Sequence, residues 1–215
     1  MEMKITGIED YPKGKGRVSI YLNDEFSFVL YRSEANRYAL EVGMTVSDEL
    51  YERIVTETLF PRARKRAMNL LKNIDRTEAD VRQRLSEGYP PEAVDNAVQY
   101  VKSFGYINDQ RYAEEYIRCK AERTSRKQIR SKLIEKGIDK AVIEAAFESY
   151  DEEMGSDISP ERELIRKLII KRCHDVTNLD YDGKQKLFAY LYGKGFSIPD
   201  IESVYSELQS ETDHA

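Results

Sequence analysis

The residues in this chain most suited to chemistry are its cations. "PRARKRA" sets Arg62, Arg64, Lys65 and Arg66 within five positions. "RCKAERTSRKQIRSKLIEK" then carries Arg118, Lys120, Arg123, Arg126, Lys127, Arg130, Lys132 and Lys136 against only Glu122 and Glu135. From Pro61 to Gly137 there are 18 Lys/Arg and 11 Asp/Glu, a net of +7 in a chain whose total is −5. Guanidinium and ammonium groups at this density bind phosphates or carboxylate-rich protein surfaces. Arg123, Arg126 and Arg130 stand at helical spacing around the Thr124-Ser125 break, beside a helix N-terminus whose free N–H groups also favour anions. A charge run is by default the solvated side of an amphipathic helix. A basic segment inside an acidic chain shifts the balance toward binding.

Other chemistries find less support. A Ser-His-Asp or Cys-His device would have to use His174 or His214, and His214 is the penultimate residue. Cys173 and His174 are adjacent, so on a helix their side chains diverge by about 100°, and nothing supplies further metal ligands. "YPKGKGRV" places glycines beside Lys13 and Lys15 but lacks the spacing and strand-to-helix setting of a phosphate-binding loop. A mobile loop beside a hairpin is the expectation there. Cys119 and Cys173 are the only cysteines, without CxxC spacing, which indicates neither a disulfide framework nor a zinc site. The reading is a binding protein, not an enzyme, with no cofactor and no metal. No apolar run approaches the roughly 20 residues of a membrane span, and "MEMKITGIED" is not a signal peptide, so a cytoplasmic location is expected.

Two kinds of element must position the cations. "GRVSIYLNDEFSFVL" alternates Val18, Ile20 and Leu22 on one side of Asn23-Asp24 and Phe26, Phe28 and Leu30 on the other, which predicts a β-hairpin. "MKITGIED" predicts a further strand, and "SEANRYAL" and "SDELYERIVTET" two short helices. Residues 1–60 thus read as a small α+β module.

From Pro61 onward the pattern is helical and repeats. Aligning Gly88, Gly137 and Gly195 places Tyr89, Ile138 and Phe196 just after them. Val94, Ile143 and Ile201 follow, then Val98, Phe147 and Tyr205, then Val101, Tyr150 and Leu208, at offsets that share one helix face. Ahead of the glycines stand Val81 and Leu85, Ile129 and Leu133, Leu187 and Leu191, each pair four apart. A third helix per unit shows as Tyr112, Ala113, Tyr116 and Ile117 and as Leu164, Ile165, Leu168 and Ile169. Ser125 with Gln128 fits a capping box, Thr77 with Asp80 a looser one, and Pro160 a first helical turn. The fold expected is mostly α: an elongated array of three tandem three-helix repeats, 61–108, 109–152 and 153–209, after the N-terminal module. The acidic run from Glu144 to Glu163 is expected to fray into a solvated joint, and 210–215 to be a disordered tail.

"GYINDQRYAEEYI" followed by "SRKQIRSKLIEKGI" resembles the signature of the RecX family of regulatory proteins, which runs Gly-Tyr-Leu-Asp-Asp, Phe-Ala, then a basic helix ending in Lys-Gly-Ile. The matching positions are Gly105, Tyr106, Ile107, Asn108 and Asp109, then Tyr112 and Ala113, then Lys136, Gly137 and Ile138. Asn108 stands for the first Asp and Tyr112 for Phe, and "ERTSRKQ" lacks the glycine often found before the basic helix. The resemblance implies tandem three-helix repeats over about 61–209 and an N-terminal extension like that of longer members. It implies a modulator, usually an inhibitor, of the RecA recombinase in DNA repair, homologous recombination and the SOS response. Such a protein lies in the groove of the RecA filament on single-stranded DNA and blocks filament growth, strand exchange and ATP hydrolysis.

On that reading Arg62, Arg64, Lys65, Arg66, Arg118, Arg123, Arg126, Lys127 and Arg130 form the partner- or DNA-binding face of a monomer, reaching single-stranded DNA through the filament. The competing reading is a stand-alone nucleic-acid-binding protein with helix-turn-helix-like units; overall acidity and the lack of a base-reading helix count against it. A scaffold for other helical partners is a third. The signature itself reads as architecture. Gly105 allows a turn, Tyr106 and Ile107 tuck into a joint, Asp109 caps the next helix, and Tyr112, Ala113, Gly137 and Ile138 serve packing.

Overall fold

In the computed structural model, which describes residues 2–155, 159–173 and 179–213, the alternating segment forms the expected hairpin. Strands β2 (Arg17–Leu22) and β3 (Glu25–Tyr31) pair antiparallel, Val18 opposite Leu30 and Ile20 opposite Phe28. The turn holds Asn23 and Asp24 at φ 51° and 68°, left-handed geometry that suits the strand twist and that Asn and Asp tolerate. Strand β1 (Met3–Asp10) adds to β2, and β4 (Thr45–Val46) adds to β1. The sheet order is β3-β2-β1-β4. No pattern announces β4, which is too short for alternation to register. The short helices α1 (Arg32–Arg37) and α2 (Asp48–Ile54) lie where expected.

The chain does not break at Phe60-Pro61. Helix α2 continues through a π-helical turn, Val55–Leu59, into α3 (Phe60–Leu71). A proline inside a helix lacks an N–H and crowds the carbonyl of the turn before it; the wide turn immediately ahead of Pro61 accommodates both. Ile54, Val55 and Leu59 share one core with the sheet residues Ile5, Ile20, Phe28 and Leu30. The same core runs on through Ala63, Ala67 and Leu70 to α4 (Glu78–Ser86) and α5 (Pro91–Ser103). The chain divides into two compact units, Met1–Asn108 and Asp109–Ala215. The N-terminal module and the first three-helix repeat are therefore one unit.

The second unit holds two repeats with separate cores. Helices α6 (Asp109–Lys120), α7 (Arg126–Glu135) and α8 (Lys140–Met154) enclose Ala113, Ile117, Ile129, Leu133, Ile143 and Phe147. Helices α9 (Pro160–Arg172), α10 (Tyr181–Gly193) and α11 (Ile198–Asp213) enclose Ile165, Ile169, Leu187, Leu191, Ile201 and Tyr205. Every apolar position that the glycine alignment singles out on the helix after each glycine is buried. Gly137 and Gly195 end their helices at φ 79° and 92°, the left-handed closure glycine permits. Gly88 differs: its carbonyl accepts the Val29 N–H at 3.0 Å, which ties the first repeat to β3.

A polar clasp joins the two repeats of the second unit. Ser125 is 1% exposed. Its hydroxyl accepts the Gln128 N–H, capping α7, and donates to the Lys194 carbonyl at 2.6 Å. Beside it the Arg126 N–H donates to Glu161 at 3.0 Å. A Cβ on Gly195 would stand 2.7 Å from the Ser125 hydroxyl, so this close approach requires glycine.

Three expectations about polar segments need correction. The acidic stretch after Glu144 does not fray at once: α8 extends to Met154 because Phe147 and Tyr150 are buried along it. Its carboxylates pair with arginines, Glu144 with Arg130, Asp151 with Arg126 and Glu153 with Arg118. Residues 156–158 lie outside the described residues. Helix α11 runs into the expected tail as far as Asp213, anchored by buried Leu208 and by ion pairs of Glu207 with Arg162 and Glu211 with Arg166. Finally, Tyr106 does not tuck in. It is half exposed and stacks on Phe104, while Ile107 alone enters the core of the first unit. His174 and His214 lie outside the described residues.

Candidate functional site

The cations of α3 point in different directions. Arg62 turns toward the sheet, where it pairs with Glu34 at 2.7 Å and lies 4.6 Å over the Tyr31 ring and 6.0 Å from that of Tyr89. Arg64 turns away, donating to the Asn96 carboxamide at 2.7 Å and lying 5.0 Å over Tyr100. Lys65 and Arg66 are exposed and join Arg62 in a cleft of about 460 Å³.

The loop after β1 adds Tyr11 and Lys13 to the lining, and Arg17, the first residue of β2, follows them. This loop is a closed turn and not the mobile excursion expected. The Tyr11 N–H donates to the Arg17 carbonyl at 3.0 Å, and the Gly14 N–H to the Tyr11 carbonyl at 3.2 Å. The Arg17 guanidinium lies against Gly14, where a Cβ would be 2.1 Å from its nearest atom, donates to the Lys13 carbonyl at 3.1 Å and stacks on Tyr11. Arg84, Glu87 and Tyr89 from the end of α4 and the turn after it complete the lining.

Glu87 is the one acidic group in the lining. It accepts from Lys13 at 2.8 Å, which holds its carboxyl below the ordinary range and the Lys13 ammonium above it. Burial pushes the Tyr89 hydroxyl up, against the opposing pull of Arg62, so it stays a protonated donor at neutral pH. Lys13, Arg17, Arg84 and Tyr89 were not among the expected site residues. "YPKGKGRV" is the only local signal for two of them, and only the sheet brings it opposite α3.

The second basic cluster is mostly engaged within the fold. Arg118 pairs with Glu115 and Glu153, at 2.9 and 2.7 Å. Arg126 pairs with Asp151 and packs over Phe147. Arg130 forms a fork with Glu144, at 2.7 and 2.8 Å, and packs over the same ring. Arg123 lies before α7 begins and is exposed, so Arg123, Lys127 and Arg130 do not form one helical stripe. Lys127, 5.9 Å from the Tyr192 ring, lines a shallow groove with Tyr116, Lys120 and Gln128.

The signature residues are structural. Gly105 has φ 69° and, with the Tyr106 N–H donating to the Val101 carbonyl at 3.0 Å, closes α5. Asp109 is the first residue of α6, where a carboxylate meets the positive end of the helix dipole. Ala113 and Ile138 are buried, and Tyr112 stacks on Tyr116. Among the described residues no group of three or more His, Cys, Asp or Glu side chains is placed to hold a metal. Both cysteines are free. Among the described residues no helix is long and apolar enough to cross a membrane.

Comparison with known proteins agrees with this arrangement. The family model of the RecX N-terminal domain matches residues 3–47, that of the RecX second three-helix domain 108–146 and that of the third 160–205. The chain is 27% identical over 214 residues to regulatory protein RecX of Clostridium acetobutylicum, covering 98% of each. It is 28% identical over 207 residues to that of Clostridium tetani, covering 95% of this chain and 94% of the relative. A crystal structure of regulatory protein RecX matches with TM-score 0.60 at 28% identity, over 95% of this chain and 99% of the other. That of RecX from Lactobacillus salivarius matches with TM-score 0.59 at 26% identity, over 71% of this chain and 97% of the other. The chain belongs to the RecX family of regulatory proteins.

Proposed function

We propose that this protein binds the RecA filament on single-stranded DNA and inhibits the recombinase, in filament growth, ATP hydrolysis and strand exchange, without catalysing a reaction itself. Membership of a regulatory family supports the reading. The observation that carries it is a division among the cations. Arg118, Arg126 and Arg130 hold carboxylates of their own chain, while Lys65, Arg66, Arg123 and Lys127 are exposed and in no ion pair among the described residues. Exposed cations outside ion pairs are available to an acidic protein surface or to phosphate without first breaking an internal bond. The available cations are therefore fewer than the nine of the sequence reading.

ATP hydrolysis by RecA on single-stranded DNA, followed with substoichiometric protein, tests this. Hydrolysis should fall, and Arg123→Glu/Lys127→Glu should weaken the inhibition with thermal unfolding unchanged. Hydrolysis unaffected at every ratio would sink the proposal.

A further inference from the structure

The cleft beside the sheet shares Lys65 and Arg66 with the regulatory reading but adds an aromatic chemistry that reading does not use. Arg17, Arg62, Lys65 and Arg66 surround it, and Tyr31 and Tyr89 present their rings to the same space. We infer that this cleft is a binding site for single-stranded nucleic acid, in which Arg17, Lys65 and Arg66 hold the phosphodiester backbone and a base stacks on the layer formed by the Tyr31 ring, the Arg62 guanidinium and the Tyr89 ring.

Charge alone would suit an acidic protein segment equally well. The aromatic layer decides between them. The Arg62 guanidinium lies over one face of Tyr31 and 6.0 Å from the Tyr89 ring, and Tyr31 remains 46% exposed, so part of this flat layer is accessible to a ligand that is itself flat. Every base has such a face; a carboxylate side chain does not. A duplex keeps its bases stacked away from any side-chain platform and does not fit a cleft of about 460 Å³. The closed turn of "YPKGKGRV" also gains a role. It lays Arg17 across Gly14 and Tyr11 in a held position, which lowers the entropy lost on gripping a phosphate.

The inference stands on the cleft and not on the recombinase reading, and the test is run with DNA alone. Anisotropy of a labelled oligodeoxythymidylate should report binding by the full chain that weakens with salt. Lys65→Glu/Arg66→Glu, both exposed and outside ion pairs, should lower the affinity and reduce the salt slope by about 1.4. Tyr31→Leu should cost about five- to hundredfold in affinity through lost stacking. Lys140→Glu/Lys171→Glu in the other unit, both exposed and outside the proposed contact cations, is the matched control, with a smaller loss expected. The inference is overturned if the wild-type chain does not bind at low salt, or if the cleft pair loses no more than the control. It is also overturned if the cleft pair binds DNA normally yet loses its effect on RecA, which would assign the cleft to an acidic protein face.

Discussion

The two units solve the same packing problem in opposite ways. Residues 1–108 build one continuous core, with a sheet and three repeat helices burying each other, and leave their exposed cations around an open cleft. Residues 109–215 build two smaller cores, join them by the clasp of Ser125, Lys194 and Glu161, and engage Arg118, Arg126 and Arg130 along α8. The acidic outer face of α8 needs counter-charges, and Arg118, Arg126 and Arg130 supply them. A count of basic residues therefore says little about available charge: the larger cluster in sequence is the more internally neutralised one.

Substitutions can break this comparison. Leu59→Ala, in the helix shared by sheet and repeat, should have the largest effect, about 2–5 kcal/mol by loss of a fully buried side chain. Far- and near-ultraviolet signals of the first unit should then be lost together on heating. Separate loss of the sheet would show that the core is not continuous. Next, Gly195→Ala should cost about 1–3 kcal/mol, since φ is 92° and the new Cβ meets Ser125. Gly88→Ala, at the aligned position, meets only Val29 at 3.7 Å and should be tolerated. Equal loss at the two glycines in thermal unfolding would remove the distinction between the repeats.

Ser125→Ala should cost about 1–2 kcal/mol, because it removes both a helix cap and the bond to Lys194. Loosening of the clasp should appear as faster amide exchange at residues 125–128, with no change in the first unit.

The smallest effect is the response to acid, and its sign differs between units. Burial raises the Glu161 carboxyl, against the Arg126 N–H that opposes it. A raised carboxyl favours the fold below the pKa of the unfolded chain and loses that contribution as pH rises through the folded value. Glu161→Gln should therefore stabilise at neutral pH, with the gain vanishing below about pH 4. Burial also acts to raise Glu78 and Asp80 in α4, but Lys102 and Arg82, and Arg76 and Arg84, outweigh it and leave both lowered. Their contribution is present above the unfolded pKa and is lost as pH falls. Melting curves across this range should show Glu78→Gln destabilising at neutral pH and harmless in acid, the mirror image of Glu161→Gln.

Much of this architecture is legible one element at a time. The alternation around Asn23-Asp24 and the helical spacing after each glycine are local properties of the chain, since burial on one face leaves its period in the sequence. Capping residues mark starts for the same reason: Ser125 and Thr77 bond N–H groups three positions away. Acidic composition misled for α8 and α11, because polarity counts the outer face of a helix and ignores the Phe147, Tyr150 and Leu208 that hold its inner one.

Which arginines are engaged is not local. Arg126 meets Asp151 and Arg118 meets Glu153 across 25 and 35 residues, and no spacing rule joins them. The cleft is less local still, since Arg17 at the start of β2 lines it with Lys65 and Arg66 of α3 only after β2, β3 and the helices share a core. The sequence alone determined the elements, their repeat and the family signature, because each is written in short-range periodicity and spacing. Only the tertiary structure decided which charges face outward together, because that depends on which elements bury each other.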